Sequence, residues 1–470
     1  MHQKFDFGNY GGVSGGFRTD YSSTFGEGSK PFTFPHADLY FLPSQMDWWK
    51  GKLQDIVPFM KLRAAYGEAG IQPGAFDRYP VLNQQAIGNG VTYAFSNPSR
   101  NPNLNVEVSK ETEFGTDFTL NTNSNSNWLK SINGSFTYWK RSSANVIYSI
   151  AVPLSTGASG ILDNAIDMSS HGTQFSLNMP IFSSKNLTWD LTTNYGTQVS
   201  MIDAIKGGAT IPLTSSAGST NVVLAGGKPI GQIFAYATVR SLDQTRTNGT
   251  PYFTDAMKAS GRYVVVVDPV YGGNVVVDTA TKGIMMGSEQ LPLGDPSPKF
   301  TMNFINNITY KDFINLNFQF DWINGAHLYN QTKEWMYRDG ISNDFDKVVN
   351  IPGFTPAAWT AYHASFYYAL WGSARGVGNN VTKDYFLEDA SFVRLRNVSL
   401  SIDLAKTSTF KKFRKLQLVF TGRNIMTWTK YSGMDPEISS GSVNSSFDRG
   451  IDHSTMPNTK SYQIGLNIGF

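Results

Sequence analysis

Gly12-Val13-Ser14-Gly15-Gly16 has the Gly-x-Ser-x-Gly spacing of a nucleophile elbow. In that motif a serine sits on a sharp strand-to-helix turn and draws on an acid and a histidine later in the chain. The turn must lead into a helix, and no helical apolar period follows Gly16, so a glycine-rich strand is the stronger reading. The six histidines, His2, His36, His171, His327, His363 and His453, are scattered without the spacing of a metal set. Asp344 and Asp346 form a local acidic pair, but glycosidase carboxylates are recognised by spatial separation, and a solvated loop explains two acids this close. The chain has no cysteine, which excludes disulfides, zinc thiolate sites and thiol catalysis. The residues therefore give no support for an enzyme, a resident cofactor or a metal centre.

What remains is noncovalent recognition. Trp335, Tyr337, Trp359, Tyr362, Tyr367, Tyr368 and Trp371 gather in one long segment between strand-like runs. Their flat rings suit stacking on sugar rings or meeting a partner surface, and equally suit holding a long loop together. Arg394, Arg396 and Arg423 stand in or beside strand-like runs, placed to line a wet lumen or to pair with carboxylates. Net charge is +3, so bulk electrostatics suggest neither nucleic acid nor an acidic partner. Charged residues are only 16% of the chain, leaving Ser, Thr, Asn and Gln as the polar material, as a water-filled barrel wall uses.

The elements that would position these residues alternate with period two, as strands with one apolar face do. Ile132, Gly134, Phe136 and Tyr138 oppose Ser131, Asn133, Ser135 and Thr137. Leu187, Trp189, Leu191 and Tyr195 oppose Thr188, Asp190, Thr192 and Asn194. Ile314, Leu316, Phe318, Phe320 and Trp322 alternate with Asn315, Asn317, Gln319 and Asp321, and Leu416, Leu418 and Phe420 with Gln417, Val419 and Thr421. In Val393 to Leu404 the apolar phase switches from odd to even near Arg396-Asn397, which predicts a β-bulge there. The last strand runs from Tyr462 and ends the chain on Phe470.

Short and long connections alternate along the chain. Tyr310-Lys311-Asp312-Phe313 is a tight turn, and the connections after Leu120 and Met179 are short. A long loop is expected after Tyr148, and long loops span about 67–104, 203–295, 326–388 and 430–456. Strict alternation of this kind is how outer-membrane barrels arrange periplasmic turns and extracellular loops. About twelve strands are expected, with the C-terminus on the periplasmic side. A lumen that wide is too broad for side chains to fill, so the apolar face must point to lipid. Tyr138, Trp139, Tyr310, Phe313, Trp428 and Tyr431 suit interfacial girdles. No apolar run reaches the ~18 residues of a membrane helix. Met1 to Gly8 has no secretory signal, so the chain is expected to be a piece whose beginning is missing.

Two runs carry a family resemblance: EDASFVRLRNVSLS at Glu388–Ser401 and GRNIMTWTKYSGMDPE at Gly422–Glu437. Together they resemble the C-terminal signature of SusC/RagA-type TonB-dependent outer-membrane transporters. Leu293–Phe300, Tyr310–Asn330, Lys61–Gly70 and Asn101–Phe118 are also similar to family barrel segments. The resemblance implies an all-β fold in which residues 1–470 are the C-terminal portion of an antiparallel transmembrane barrel, about twelve of roughly 22 strands. The plug domain and TonB box are absent from it. The intact protein would import a glycan or peptide across the bacterial outer membrane without covalent chemistry. A SusD-like surface lipoprotein would cap it, TonB would pull on the missing plug, and barrel assembly machinery would read the terminal Phe470. The competing readings are a non-transporting barrel remnant or adhesin, and a soluble carbohydrate-binding protein.

Overall fold

The computed structural model describes the chain except residues 23, 25–30, 97, 123–125, 159, 209, 213–220, 269–271, 281–282, 340, 348–349, 354–383, 408 and 440–448. Its main feature is a 14-stranded antiparallel sheet. Thirteen of those strands lie in sequence order along one path. They are β1 (His2–Asp6), β2 (Gly11–Asp20), β3 (Phe32–Phe41), β4 (Phe59–Ile71), β5 (Glu107–Asn121), β6 (Ser131–Ala151) and β7 (Gly160–Ser183). The path continues through β8 (Leu187–Ile205), β9 (Phe300–Tyr310), β10 (Ile314–Asn324), β11 (Phe392–Asp403), β12 (Lys415–Thr429) and β13 (Ser461–Gly469). Each strand pairs with the next, and among the described residues β1 and β13 do not pair with each other. No helix among the described residues is long and apolar enough to cross a membrane, which says nothing of crossing by strands.

Register gives the sheet two distinct faces. Leu316 of β10 lies between Ile308 and Leu400, and Leu400 faces Phe420, which faces Ile464. On the other face Asn317 lies between Asn307 and Ser399, and Ser399 faces Thr421, which faces Gln463. The apolar face carries large uncovered side chains, including Leu39, Phe114, Phe420, Met426, Ile464 and Leu466. One strand edge after another thus repeats the alternation legible in each strand alone.

The bulge falls where the phase switch places it. Gln319 pairs with Asn397 and Phe320 with Leu395, so Arg396 is the extra residue. Against β12, Leu395 faces Met426 while Asn397 faces Arg423, which puts a second irregularity at Asn424, whose φ is +51°. Asparagine tolerates that left-handed conformation better than most residues. The tight turn from β9 to β10 is also as expected: Tyr310 pairs with Ile314, so three residues join the strands, Lys311 and Asp312 both have positive φ, +47° and +57°, and the Phe313 N–H donates to the Tyr310 carbonyl.

The expected long loop after Tyr148 is not present. β6 and β7 run 21 and 24 residues, and only residues 152–159 join them. Twenty-four residues reach about 80 Å, so what reads as loop in sequence is continued strand. The other long connections fold on themselves. Residues between β8 and β9 form a four-stranded sheet and a three-stranded sheet, and those between β4 and β5 form the hairpin Leu82–Ile87 and Gly90–Phe95. The principal apolar core lies here rather than inside the sheet's curve. Ile233, Val266, Val275 and Val277 from one connection pack with Tyr329, Tyr337, Tyr385, Phe386 and Ile451 from two others.

Candidate functional site at the looped end of the sheet

Arg394 of β11 is, among the described residues, one of the largest fully buried side chains, 2% exposed. Register places it opposite Asp321 and Thr427, on the polar face. Its guanidinium donates to Thr427 Oγ1 at 2.9 Å, to Glu437 Oε2 at 2.5 Å and to Asp435 Oδ1 at 2.5 Å. The bulge turns Arg396 onto the same cluster, where it donates to Asp321 at 2.6 Å and to both Glu437 oxygens at 2.6 and 3.0 Å. Asn458 closes the far side through its backbone N–H to Asp435 and its side chain to Glu437. Two guanidiniums thus bind three carboxylates, and the connection from β12 to β13 is fastened to the wall formed by β10 and β11. Burial works against the Asp435 carboxylate, but the Glu437 N–H, Arg394 and the Asn458 N–H outweigh it and hold its pKa below the ordinary value.

Beyond this clamp the loops build a small three-stranded sheet from Leu387–Asp389, His327–Asn330 and Ile451–Asp452. The helix Gln331–Arg338 leaves it, capped by Asn330 Oδ1, which accepts from the Lys333 N–H at 2.8 Å. Buried carboxylates here are held by tyrosine hydroxyls. Tyr431 donates to Asp452 at 2.7 Å, Tyr329 to Glu334 at 2.5 Å, Tyr337 to Asp344 at 2.5 Å and Tyr385 to Asp268 at 3.3 Å. Burial and the Asp452 carboxylate push the Tyr431 hydroxyl well above its ordinary pKa.

The recognition residues read from sequence separate into different environments. Trp335 meets His453 edge to face, with ring centroids 4.5 Å apart. Tyr337 is wholly buried among Tyr385 and Phe386. Trp359, Tyr362, Tyr367, Tyr368 and Trp371 lie outside the described residues. Arg394 and Arg396 face the polar side but are taken up by carboxylates, whereas Arg423 is exposed on β12. Phe470 follows β13, 92% exposed, with its ring 5.8 Å from Phe413.

Two expected girdle residues sit elsewhere. Trp139 follows Tyr138 in β6 and so takes the opposite, polar face, where the Arg141 guanidinium lies 5.7 Å from its ring. Tyr431 is buried in the loop layer on Asp452. The Gly-x-Ser-x-Gly motif is mid-strand in β2, with Ser14 donating to Asp38, so no elbow forms. Of the acidic pair, Asp344 accepts from Tyr337 and serves structure.

A feature that strand-by-strand reading missed is a groove of about 450 Å³ on the polar face of β4 to β8, lined by Arg63, Glu111, Glu113, Trp139, Arg141 and Gln174 among others. Arg63 donates to Ser135 and Thr137 and lies 3.5 Å from Asp117, while Arg141 pairs with Glu111 at 2.5 Å. Charged residues recurring on the polar parity of adjacent strands were its available signal. The wall offers a run of donors and acceptors across adjacent strands.

No protein-family model matches the sequence. Over 469 residues, 96% of its length, the chain is 25% identical to TonB-dependent receptor P3 of Formosa agariphila and spans 43% of that receptor. It is also 25% identical over 472 residues to TonB-dependent receptor SusC of Bacteroides thetaiotaomicron, covering 96% of this chain and 41% of the receptor. The solved RagAB peptide importer in its closed-closed state superposes with a TM-score of 0.68 over 100% of this chain and 47% of that one, at 16% identity, which shows a shared fold. The chain spans less than half the length of each of these relatives.

Proposed function

We propose that this chain, similar over 96% of its length to TonB-dependent receptors that include SusC, is of the SusC/RagA type and serves as the C-terminal barrel portion of a nutrient importer in the bacterial outer membrane. Cargo is a glycan or a peptide, and passage needs binding and gating rather than bond making. The observation that carries this reading is the strand-to-strand pairing from β1 to β13, in which one parity is apolar and the other rich in amides and hydroxyls. Lipid requires every backbone polar group on such a wall to be paired, and a sheet that goes on to close with further strands meets that requirement. The large folded connections, all at one end, point to the cell exterior, and the turns and the C-terminus to the periplasm. A SusD-like surface lipoprotein sits over the loop layer, and TonB acts through a plug outside residues 1–470.

The test is deletion of the coding region in its native host, followed by uptake assays with labelled oligosaccharides and oligopeptides. Loss of uptake of one class, with a lipoprotein co-purifying from detergent-solubilised outer membrane, supports the proposal. Unchanged uptake of both classes contradicts it.

A further inference from the structure

Two histidines separated by 34 positions in sequence touch in space. His2 Nδ1 lies 3.1 Å from His36 Nε2, with ring centroids 5.3 Å apart and 16° between their planes, so the rings meet edge to edge through these nitrogens. Register explains the meeting: both residues are opposite Gly16, one on each side of β2. A Cβ on Gly16 would come within 2.9 Å of His36 Cε1 and 2.2 Å of the Met1 carbonyl oxygen. The missing side chain is what lets the two imidazoles close over the strand between them. Across β4 the next residue in this row is Gly67, where an added Cβ would meet nothing within 4 Å, so the space beside the pair is open. The neighbouring cations are internally compensated, Lys4 by Asp6 at 3.2 Å and Arg18 by Asp20 at 2.7 Å.

Two imidazole nitrogens 3.1 Å apart match adjacent ligands on one ion: with metal–nitrogen bonds of about 2.0–2.1 Å they subtend roughly 95–100°. That angle falls between the right angle of a tetragonal site and the tetrahedral angle, and imidazole suits copper, nickel and zinc. We infer that His2 and His36 form a binding site for a divalent first-row transition-metal ion. Water or a solute in the lumen supplies the other ligands. The ion ties β1 to β3 across β2 and, because only the folded sheet presents both nitrogens, strengthens that edge of the wall. No metal set of three or more ligands occurs among the described residues, so the site is a two-ligand one and its affinity follows the order copper above nickel and zinc.

The test uses the receptor that contains this chain, purified from the outer membrane in detergent and titrated with Cu²⁺, read by calorimetry and by the nitrogen hyperfine pattern in electron paramagnetic resonance. The expected result is one ion per chain with two imidazole nitrogens. Affinity falls in both His2→Gln and His36→Gln by more than the roughly tenfold that even an outer-shell partner is worth, and is unchanged in His171→Gln. Copper binding that survives His36→Gln overturns the inference. So does the absence of binding to the unaltered chain. Gly16→Ala keeps both imidazoles and drives them apart; it weakens binding if geometry matters, and full affinity in that variant refutes the paired site.

Discussion

Replacing Arg394 by methionine tests how the loop layer is fastened. The substitution keeps an unbranched stem in the same space and removes three donated bonds, to Thr427, Glu437 and Asp435. Asp435 is 5% exposed, so its carboxylate is left buried beside the hole. Breaking a buried ion pair from one side costs about 3–5 kcal/mol. Asp435 retains the backbone N–H groups of Glu437 at 2.9 Å and Asn458 at 3.0 Å, which places the expected cost at the lower end, about 3 kcal/mol. Arg396→Met is the internal control. Arg396 is 26% exposed and Glu437 keeps Arg394, so its loss costs about 1–2 kcal/mol. Adding Asp435→Asn to Arg394→Met removes the stranded charge and restores part of the stability. The assay is urea unfolding, in lipid vesicles, of the receptor that contains this chain, followed by tryptophan fluorescence, with protease protection of residues 430–460 as the local readout. Unchanged protection in Arg394→Met, or equal costs for the two arginines, would refute this reasoning.

The remaining predictions follow the same geometry. Leu400→Arg places a charge on the apolar face between Leu316 and Phe420 and costs about 2–4 kcal/mol in vesicle unfolding, whereas Ser399→Arg, on the polar face, costs far less. Asn424→Ala forces an unfavourable φ of +51° and costs about 1–2 kcal/mol beyond Asn424→Gly, which loses the same side-chain bonds to Arg396 and Thr459 without the strain. Tyr431→Phe leaves one oxygen of Asp452 without its donor, Thr332 and the Thr455 N–H holding the other, and lowers stability by about 1–2 kcal/mol. The raised Tyr431 pKa favours the folded state below about pH 10, and that contribution is lost as pH rises further. The lowered Asp435 pKa acts in the opposite window, giving stability above about pH 4 that is lost as pH falls. Protease protection of the loop layer across pH therefore declines at both extremes, and Tyr431→Phe abolishes the alkaline limb only.

Local sequence carried the wall because alternation is a short-range signal. Ile314 to Asn324 shows its two faces without reference to any neighbour, and the phase switch near Arg396 announces the bulge. The partners of the two arginines were not legible. Asp435 and Glu437 are about forty residues from Arg394, and only the path of the β12–β13 connection brings them to β11. His2 and His36 were equally hidden, since their meeting depends on strand order and on a glycine in the strand between. Tyr431 and Trp139 misled for a related reason. Being near a strand end suggests a girdle, but the parity of Trp139 turns it inward, and Asp452 draws Tyr431 into the loops. The loop core failed to show because its members, such as Ile233, Val275 and Tyr385, come from connections far apart in the chain.

The central claim is that the apolar parity faces lipid and the polar parity faces water. The chain has no cysteine, so single cysteines at Leu316, Phe318 and Leu400, and at Asn317, Gln319 and Ser399, can each carry one nitroxide label in vesicles. Accessibility to oxygen and to a water-soluble nickel complex is then measured at every site. The expected result is strict alternation, with oxygen favoured at the first three positions and nickel at the second three. High nickel access at Leu316, Phe318 and Leu400 would contradict it and remove the basis for a membrane-spanning wall.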